Sequence, residues 1–389
     1  MNPSVLMVVV QFPPLFVGGA EKMAETFAAE FRKQGMLYRI VTRCYAANKQ
    51  RVREDLPVDV LSIPEIPMLG SLLYLMKLAL YLFRHRQHYD VIYLGLPKYN
   101  VLVCTMFAAL FGKRLVIKFE SPTWERQDDK VHRIRCFGLF LFALRRADAV
   151  VVLNAQMHAD LLRLGVAPGK ALVIPNAVDT ERFAPAVDKA ACKRIFRITE
   201  EKVIIYLGRL IRAKGVFALM HAFSAIASRH QSVRLMLIGD GMERDALNLE
   251  ARTLGIADRV TIQSTDDPAP ILACGDLFVL PSESEGVSCA MLEAMATGLC
   301  AIATPVGGNR EVITENKTGV FVPVGDAEQL SETLHALLTN DSERQRLATA
   351  GRQHVCTAYS LRRLTLHYSE LFVNLLKNEI SGESTEEGA

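Results

Sequence analysis

The sequence predicts an α/β protein of two domains, each with a parallel sheet covered by helices. Its 389 residues exceed what one ordinary hydrophobic core accommodates. Half of the residues are hydrophobic, which is enough to fill two cores and excludes a largely disordered chain. Short apolar runs alternate with helix-length segments, as in parallel sheets flanked by helices. The same alternation begins again in the second half of the chain, so we expect two domains of similar construction.

Apolar runs in the first half predict five buried strands, at residues 5–10, 38–42, 91–94, 114–118 and 149–153. Between the first two, Met23, Phe27 and Phe31 recur at helical spacing and predict a helix over residues 20–33. A further strand is expected around residues 173–176, ending in Pro-Asn. The polar stretch that follows, residues 180–189, indicates a junction between domains.

The second half repeats this organisation. Strands are predicted at residues 203–207, 234–239, 260–263, 277–281, 301–304 and 320–322. Helices are predicted at residues 216–229, 243–254, 288–297 and 361–377, and Gly298 is a suitable stop for the third of these. The final residues, 378–389, are rich in Gly, Ser and Glu, and we expect a disordered tail there.

The composition and the apolar segments indicate the cellular compartment of the protein. The eight cysteines are scattered and include no Cys-x-x-Cys pair, which favours a reduced compartment and gives no zinc-like spacing. The start of the chain lacks the features of a signal peptide, and the longest apolar stretch, residues 69–83, is interrupted by Lys77 and too short to span a membrane. We therefore expect a cytoplasmic protein.

Charge is distributed unevenly. Up to residue 180 the chain holds 23 Lys and Arg against 15 Asp and Glu, whereas the remainder holds 22 against 27. A basic first half suggests an anionic partner for that half.

Residues 281–298 are the segment most informative about chemistry. A buried strand ends at Pro281, a polar loop follows, and a helix begins near Ser288. The N-terminus of a helix offers unpaired N–H groups and partial positive charge, which suit phosphate or sugar oxygens. Open α/β sheets also bind their ligands at the carboxyl ends of parallel strands. Glu285 in the loop and Glu293 in the helix could therefore hold hydroxyl groups at two points of one extended ligand.

This segment, Pro-Ser-x-x-Glu-Gly…Glu-Ala-Met-Ala-x-Gly, resembles the signature of glycosyltransferase family 4, in which seven residues separate two glutamates. Glu285 and Glu293 match that spacing, and Glu283 does not. The resemblance implies that Glu285 lies beside the transferred sugar and that Glu293 binds the ribose of the nucleotide. It also implies donor contacts from the start of the helix, at Gly286, Val287 and Ser288. The alternative is that the two acids only cap a helix and face solvent.

Further strings are similar to the same family. Gly208-Arg209-Leu210 followed by Lys214-Gly215 resembles its diphosphate clamp, and two cations after a strand can neutralise the charge of a departing nucleoside diphosphate. A solvated basic turn is the alternative. Gly18-Gly19, before the first helix, resembles the family's glycine loop, where the backbone could approach donor phosphates; it could also be only a turn. Asn176 lies in a string, Ile-Pro-Asn-Ala-Val-Asp, that resembles the family's hinge segment, with Ala177 in place of glycine.

Together these strings imply the GT-B fold, two Rossmann-like, doubly wound domains with an interdomain cleft. The implied domains are residues 1–175 for the acceptor and 176–360 for the donor, with helix 361–377 returning to the N-terminal domain. The implied reaction transfers a sugar from a UDP or GDP sugar to a glycan or lipid-linked acceptor, with retention of anomeric configuration, in cell-surface polysaccharide or glycolipid synthesis. The departing phosphate can accept the acceptor's proton, and Arg209 and Lys214 can serve the electrostatic role of a metal, so no metal or other cofactor is expected.

The sequence departs from the family at one catalytic position. Family members often carry a histidine at the end of an N-terminal strand, where this chain has Val116-Ile117-Lys118-Phe119-Glu120. Glu120 could contact the acceptor hydroxyl or accept its proton. It could equally cap the strand or pair with Lys118.

Two apolar segments of the first half are also basic, residues 69–89 and 132–146. Such helices can lie on an anionic membrane surface with their Lys and Arg stems extended, which is our working hypothesis. They could instead pack into the core with only their charged ends exposed.

Two rival functions share these features. A GT-B sugar-nucleotide 2-epimerase would turn over donor without an acceptor, and the Glu285 and Glu293 string argues against it. A protein that binds nucleotide sugars without catalysis would be favoured if Arg209, Lys214 or Glu285 were missing, and all three are present. Nucleic-acid binding has no recognised module in this chain.

Overall fold

The computed structural model describes residues 3–10, 12, 19–45, 56–66, 69–120 and 137–377. The chain divides into two compact units. The first consists of Met1–Pro175 and Arg362–Ala389, and we call it the N-terminal unit; the second consists of Asn176–Leu361 and is called the C-terminal unit. The predicted tail, residues 378–389, lies outside the described residues.

Seven parallel strands form the sheet of the N-terminal unit within its described part. They are β1 (Ser4–Val9), β2 (Leu37–Tyr45), β3 (Val58–Ile63), β4 (Val91–Gly95), β5 (Arg114–Lys118), β6 (Ala149–Val152) and β7 (Ala171–Val173). Their order across the sheet is β3-β2-β1-β4-β5-β6-β7. The central strands are almost fully buried on both faces, which explains their continuous apolar sequences.

Helices connect and cover these strands. They are α1 (Gly19–Lys33), α2 (Leu69–Arg84), α3 (Asn100–Phe111), α4 (Phe137–Arg146), α5 (Ala155–Arg163) and the last helix of the chain, α14 (Leu361–Lys377). The apolar residues predicted for α1 face the core. Phe27 and Phe31 are buried, and their rings contact those of Tyr368 and Phe372 on α14. The end of the chain thereby completes the core of the N-terminal unit.

The C-terminal unit has a six-stranded parallel sheet with the order β10-β9-β8-β11-β12-β13. Its strands are β8 (Lys202–Leu207), β9 (Val233–Ile238), β10 (Val260–Gln263), β11 (Leu277–Leu280), β12 (Cys300–Ala303) and β13 (Val320–Phe321). Its helices are α6 (Lys189–Ile195), α7 (Val216–Ala227), α8 (Arg244–Thr253), α9 (Ala269–Leu272), α10 (Cys289–Ala296), α11 (Asn309–Val312), α12 (Ala327–Thr339) and α13 (Asp341–Ala358).

Both sheets are doubly wound, as the sequence predicts. The chain reverses its direction across the sheet between β1 and β4 in the N-terminal unit and between β8 and β11 in the C-terminal unit. Ligands of doubly wound sheets bind beyond the carboxyl ends of the strands at such a reversal. The predicted site residues 209, 214 and 285 follow β8 and β11, so the topology brings them to the reversal in the C-terminal unit.

The observed elements differ from the predicted ones mainly at the sheet edges. Strand β3 was not predicted, because its sequence alternates polar and apolar residues on a half-buried edge instead of forming a continuous apolar run. Strand β7 ends at Val173, before the predicted Pro-Asn, since Pro175 cannot donate to a strand ladder. None of the helices in the described ranges is both long and apolar enough to cross a membrane.

Candidate active site

Three loops meet at the reversal in the C-terminal unit. They follow the central strand β8, its neighbour β11 and the next strand β12. The loop after β8 carries Arg209 and the short 3-10 helix Arg212–Lys214, and the loop after β11 carries Glu285. A backbone hydrogen bond of 2.9 Å from Glu283 N–H to the Ala213 carbonyl holds these two loops together. Residues far apart in sequence are thereby fixed side by side.

Glu285 and Lys214 form the central contact of this region. The Lys214 Nζ atom lies 2.6 Å from Glu285 Oε1, and the two side chains are only 17% and 9% exposed. Ser282 Oγ donates to the same carboxylate oxygen at 2.7 Å. The Ser282 carbonyl in turn accepts from Thr304 Oγ1 at the end of β12. The carboxylate is therefore fixed by two donors, and a mostly buried, hydrogen-bonded ion pair is strong compared with an exposed one.

The loop after β12 is packed directly against the Glu285 backbone. The Gly308 N–H donates to the Gly286 carbonyl at 2.7 Å. Gly307 has a φ of +46°, and a Cβ atom there would overlap the carbonyl oxygen of Glu285. A side chain at either glycine would displace the segment that holds the carboxylate.

Helix α10 begins immediately after Glu285. Ser288 is its N-cap and accepts from Met291 N–H at 3.4 Å. Val287 is buried, and its carbonyl accepts from Asn176 Nδ2 at 3.0 Å. Asn176 is itself only 4% exposed, so the amide predicted to bind substrate braces the loop that carries Glu285. Glu293 lies in the second turn of α10 and is half-buried.

Arg209 occupies the loop directly after β8 and is exposed. Its backbone carbonyl accepts from the Tyr206 hydroxyl at 2.7 Å, which fixes the start of the loop. Burial raises the pKa of Tyr206, and the neighbouring charge of Glu285 adds to this shift. In the described part of the chain the Arg209 guanidinium makes no ion pair, so its charge is not neutralised by the protein there.

Glu120 belongs to the N-terminal unit, at the end of β5. Its Oε1 atom lies 2.8 Å from Lys118 Nζ, and the Lys118 side chain is 1% exposed. The alternative that Glu120 pairs with Lys118 is therefore what the structure contains. Its other oxygen, Oε2, is buried and accepts no hydrogen bond within the described residues. Burial also raises the pKa of the nearby Tyr368 to about 12, which marks these surroundings as poorly solvated.

The predicted glycine loop is only partly described. Gly18 lies outside the described residues, and Gly19 is the first residue of α1. Sequence reasoning also missed three contributors: Ser282, Thr304 and the Tyr206 hydroxyl. Ser282 is three residues before Glu285 in the quoted signature, so its position alone could have suggested a contact with that carboxylate. The contact of the Tyr206 hydroxyl with the Arg209 carbonyl could not be predicted, because it depends on how the loop after β8 folds back.

The arrangement can bind an anion next to a hydroxylated group. Two cations lie in one loop after the central strand, and the carboxylate that accompanies them comes from the neighbouring strand. Cations of this kind attract phosphate oxygens, and a fixed carboxylate accepts from hydroxyl groups. A doubly wound sheet with such a site at its reversal is the architecture of a nucleotide-binding α/β protein.

Family models match both halves of the chain. Residues 17–182 match the family described as Glycosyltransferase Family 4, and residues 187–354 match Glycosyl transferases group 1. The lipopolysaccharide core biosynthesis glycosyltransferase LpsE of Rhizobium meliloti is 32% identical over 246 residues, which cover 63% of this chain and 70% of LpsE. The protein therefore belongs to the glycosyltransferase family 4, as the resemblance predicted.

Two other similarities agree with this assignment. N-acetyl-alpha-D-glucosaminyl L-malate synthase of Bacillus anthracis is 29% identical over 249 residues, covering 63% of this chain and 65% of the synthase. For further curated relatives the covered share of their length falls to between 43% and 53%. The crystal structure of Anabaena HepE in complex with UDP has a TM-score of 0.78, 18% identity, and coverage of 95% of this chain and 100% of HepE. That likeness shows a shared GT-B fold.

Proposed function

We propose that this protein is a retaining glycosyltransferase that moves a sugar from a nucleotide-diphosphate sugar to a glycan or lipid-linked acceptor. The observation that carries the proposal is the 2.6 Å contact between Lys214 and Glu285 at the reversal of the C-terminal sheet. This contact brings together a cation and an acid that the family resemblance assigns to the diphosphate and to the sugar, the two groups joined by the bond that breaks. Neither residue type would be expected half-buried at a strand end without a purpose.

The proposed donor is a UDP or GDP sugar. The nucleoside diphosphate lies against Arg209 and Lys214, the sugar against Glu285, and the ribose against Glu293. Two observations support this reading: the exposed Arg209, which makes no ion pair with any described residue, suits a charged ligand, and the HepE structure with the same fold contains UDP. No metal is required in this proposal, because the two cations supply the positive charge that a metal would otherwise provide.

The proposed chemistry relies on stabilising the leaving group. Negative charge develops on the diphosphate as the bond to the sugar breaks, and Arg209 and Lys214 are already in place to receive it. The departing phosphate then accepts the proton of the acceptor hydroxyl, so no strong base is needed. Glu120 is proposed as a polar contact for that hydroxyl, through the carboxylate that pairs with Lys118.

The proposed acceptor class is supported by the name of one relative. LpsE is named for lipopolysaccharide core biosynthesis, which supports a role in cell-surface polysaccharide or glycolipid synthesis. We place the protein in the cytoplasm, and a lipid-linked acceptor would bring it to the inner face of the membrane as a peripheral protein.

A thermal-shift panel of nucleoside diphosphates and their sugars tests the donor proposal. Stabilisation by one base series is expected, since a ligand that binds only the folded state raises the melting temperature. Lys214→Met should abolish this stabilisation. Arg212→Met is the matched control, because Arg212 lies in the same 3-10 helix but is 74% exposed and pairs with Glu243. Equal loss in both variants, or no stabilisation by any nucleotide, would contradict the proposal.

Turnover separates the transferase from the epimerase. The wild-type protein is incubated with the stabilising donor alone and with donor plus candidate acceptors. A transferase consumes donor faster when acceptor is present, whereas rapid isomerisation of the donor sugar without acceptor would identify an epimerase. Binding of nucleotide without either reaction would favour a non-catalytic role.

A further inference from the structure

Helix α2 carries an apolar stripe on its exposed side. Its buried line contains Gly70, Tyr74, Leu78 and Leu82, which pack toward the sheet. The opposite line is equally apolar, and its members are Leu69, Leu72, Met76, Leu80 and Phe83, each between 47% and 61% exposed. A surface helix of a soluble domain ordinarily shows polar residues on that side. The exposed stripe is therefore an unusual feature that the fold does not require.

The stripe continues across two neighbouring helices. Helix α2 packs against α3, and α3 packs against α4. Met106 and Leu110 of α3 and Leu139 and Phe142 of α4 are between 49% and 67% exposed. We call this combined surface the α2–α4 face. It holds nine of the 21 exposed large hydrophobic side chains in the described residues, whereas the whole C-terminal unit holds five. Contiguous patches of this kind mark interaction sites.

The charges of the α2–α4 face are all positive. The three helices contain no Asp or Glu, and their charged residues are Lys77, Arg84, Arg145 and Arg146. Two arginines lie over exposed aromatic rings of the face: Arg86, just after α2, is 4.4 Å from the Phe83 ring, and Arg146 is 5.3 Å from the Phe142 ring. Cations at the edge of an apolar surface are the arrangement that suits an interface between water and anionic lipid.

We propose that the α2–α4 face docks on an anionic lipid membrane. The apolar side chains would enter the boundary between headgroups and acyl chains, and the cations would contact the negative headgroups. A second copy of the same face is a poor partner, because only cations would oppose cations. The proposal goes beyond the transferase activity and does not depend on it, since no residue of the nucleotide site lies on these helices.

Vesicle flotation with the full chain tests this proposal. The two vesicle preparations are phosphatidylcholine alone and phosphatidylcholine mixed with phosphatidylglycerol. Wild type should float only with the mixed vesicles, and added salt should weaken its binding. Arg84→Glu combined with Arg146→Glu should weaken binding at least about tenfold, because each cation near an anionic surface contributes favourably. Met76→Ser combined with Leu80→Ser should weaken it on vesicles of the same charge.

Matched control variants lie in the C-terminal unit, on α8 and in the loop just before it. Leu249→Ser with Met242→Ser removes similarly exposed apolar side chains, and Arg252→Glu reverses an exposed charge; both should float like wild type. All variants should keep the nucleotide-dependent thermal shift, which separates failure of docking from failure of the transferase proposal. Equal flotation with both vesicle types, or no flotation, overturns the proposal. A concentration-dependent dimer that the Met76→Ser, Leu80→Ser variant abolishes in the absence of lipid would overturn it in favour of self-association.

Discussion

At the scale of single residues, Glu285 and Lys214 neutralise each other's charge. One carboxylate oxygen accepts from both Lys214 and Ser282. A diphosphate that binds Lys214 must therefore compete with this carboxylate for the same ammonium group. The sugar offers a hydroxyl group that can donate a hydrogen bond to the carboxylate in return. A nucleotide sugar therefore gives new partners to both Lys214 and Glu285, whereas a nucleotide without sugar gives one only to Lys214.

This competition predicts opposite effects for Glu285→Gln on two ligands. Binding of the nucleoside diphosphate alone should tighten at least about fivefold, because Lys214 is no longer held by a mostly buried ion pair, which is worth at least the roughly 1 kcal/mol of an exposed one. Transferase activity should fall at least about a hundredfold, as when a charge-positioning group is removed from an active site. Isothermal titration and an initial-rate assay measure the two effects.

Glu283→Gln is the control for that experiment. Glu283 lies two residues away in the same loop, is exposed, and does not match the family spacing. It should leave both binding and rate close to those of the wild type. Weaker binding of the nucleotide to Glu285→Gln would show that the carboxylate does not compete for Lys214.

His354 gives the C-terminal unit a dependence on pH. Its Nε2 atom is buried and has no hydrogen-bond partner within the described residues. Burial lowers the pKa of His354 below its ordinary value of 6.5. Below that value the unfolded chain binds a proton that the folded chain resists, so stability is lost as the pH falls from 6.5 toward the lower pKa of the folded state.

His354→Phe should reduce this loss, because a ring that cannot titrate keeps the edge contact with Tyr359. Thermal unfolding of the two proteins across the same pH range measures the difference. Some dependence should remain, since burial also lowers the pKa of His230. His367→Phe, which replaces an exposed histidine of the N-terminal unit, is the control variant. An unchanged slope in His354→Phe would refute the assignment.

At the scale of elements, the position of Glu285 depends on the turn between β12 and α11. Gly307 combines a positive φ with direct contact to the Glu285 backbone. These two constraints are distinct. The first concerns the backbone of the turn alone, and the second links the turn to the loop that carries Glu285.

Gly307→Ala should therefore affect both stability and ligand binding. The left-handed backbone costs about 1–2 kcal/mol for any residue with a Cβ, and the overlap with the Glu285 carbonyl adds a displacement of the loop. Gly325→Ala separates the two effects, because Gly325 has a φ of +76° but no atom within 4 Å of its Cβ position. Gly325→Ala should lower the melting temperature without changing nucleotide binding. If both variants bind nucleotide equally well, the turn does not position Glu285.

The strands show which parts of the fold could be predicted from the sequence alone. Continuous apolar runs identified the buried strands, and β5 and β10 were predicted with their observed bounds. Edge strands are less distinctive because one side meets solvent, and β3 was missed for that reason. The order of the strands could be inferred only as a class, since parallel pairing brings together segments that no local pattern relates.

The candidate site, too, could be predicted from the sequence only in part. The signature string singled out Glu285 and the clamp string singled out Lys214, and the structure brings these two into contact. The position of Ser282, three residues before Glu285, could have suggested its contact. The support from Thr304 and Gly307 could not be read from spacing, because it arises where separate strand ends meet. Substrate binding by Asn176 stays a prediction; its buried amide also contacts the Val287 carbonyl, a relation visible only in the fold.

At the scale of the whole molecule, the N-terminal unit is made from two distant parts of the chain. Its strands end at Val173, whereas α14 follows the C-terminal unit along the chain. Phe372 of α14 is fully buried and contacts the rings of Phe31 and Tyr93. The N-terminal core therefore includes side chains that the chain supplies last, and its stability depends on them.

Phe372→Ala should destabilise the N-terminal unit by about 3–5 kcal/mol, since it removes a buried aromatic side chain and leaves a cavity. Hydrogen exchange can locate the effect, because amides of β1 and β4 should lose protection while those of β8 and β11 keep it. Leu366→Ala on the same helix replaces a side chain that is 47% exposed and should leave exchange unchanged. Equal loss of protection in both units would mean that they unfold as one cooperative body, and α14 would then stabilise the molecule as a whole instead of the unit whose core it completes.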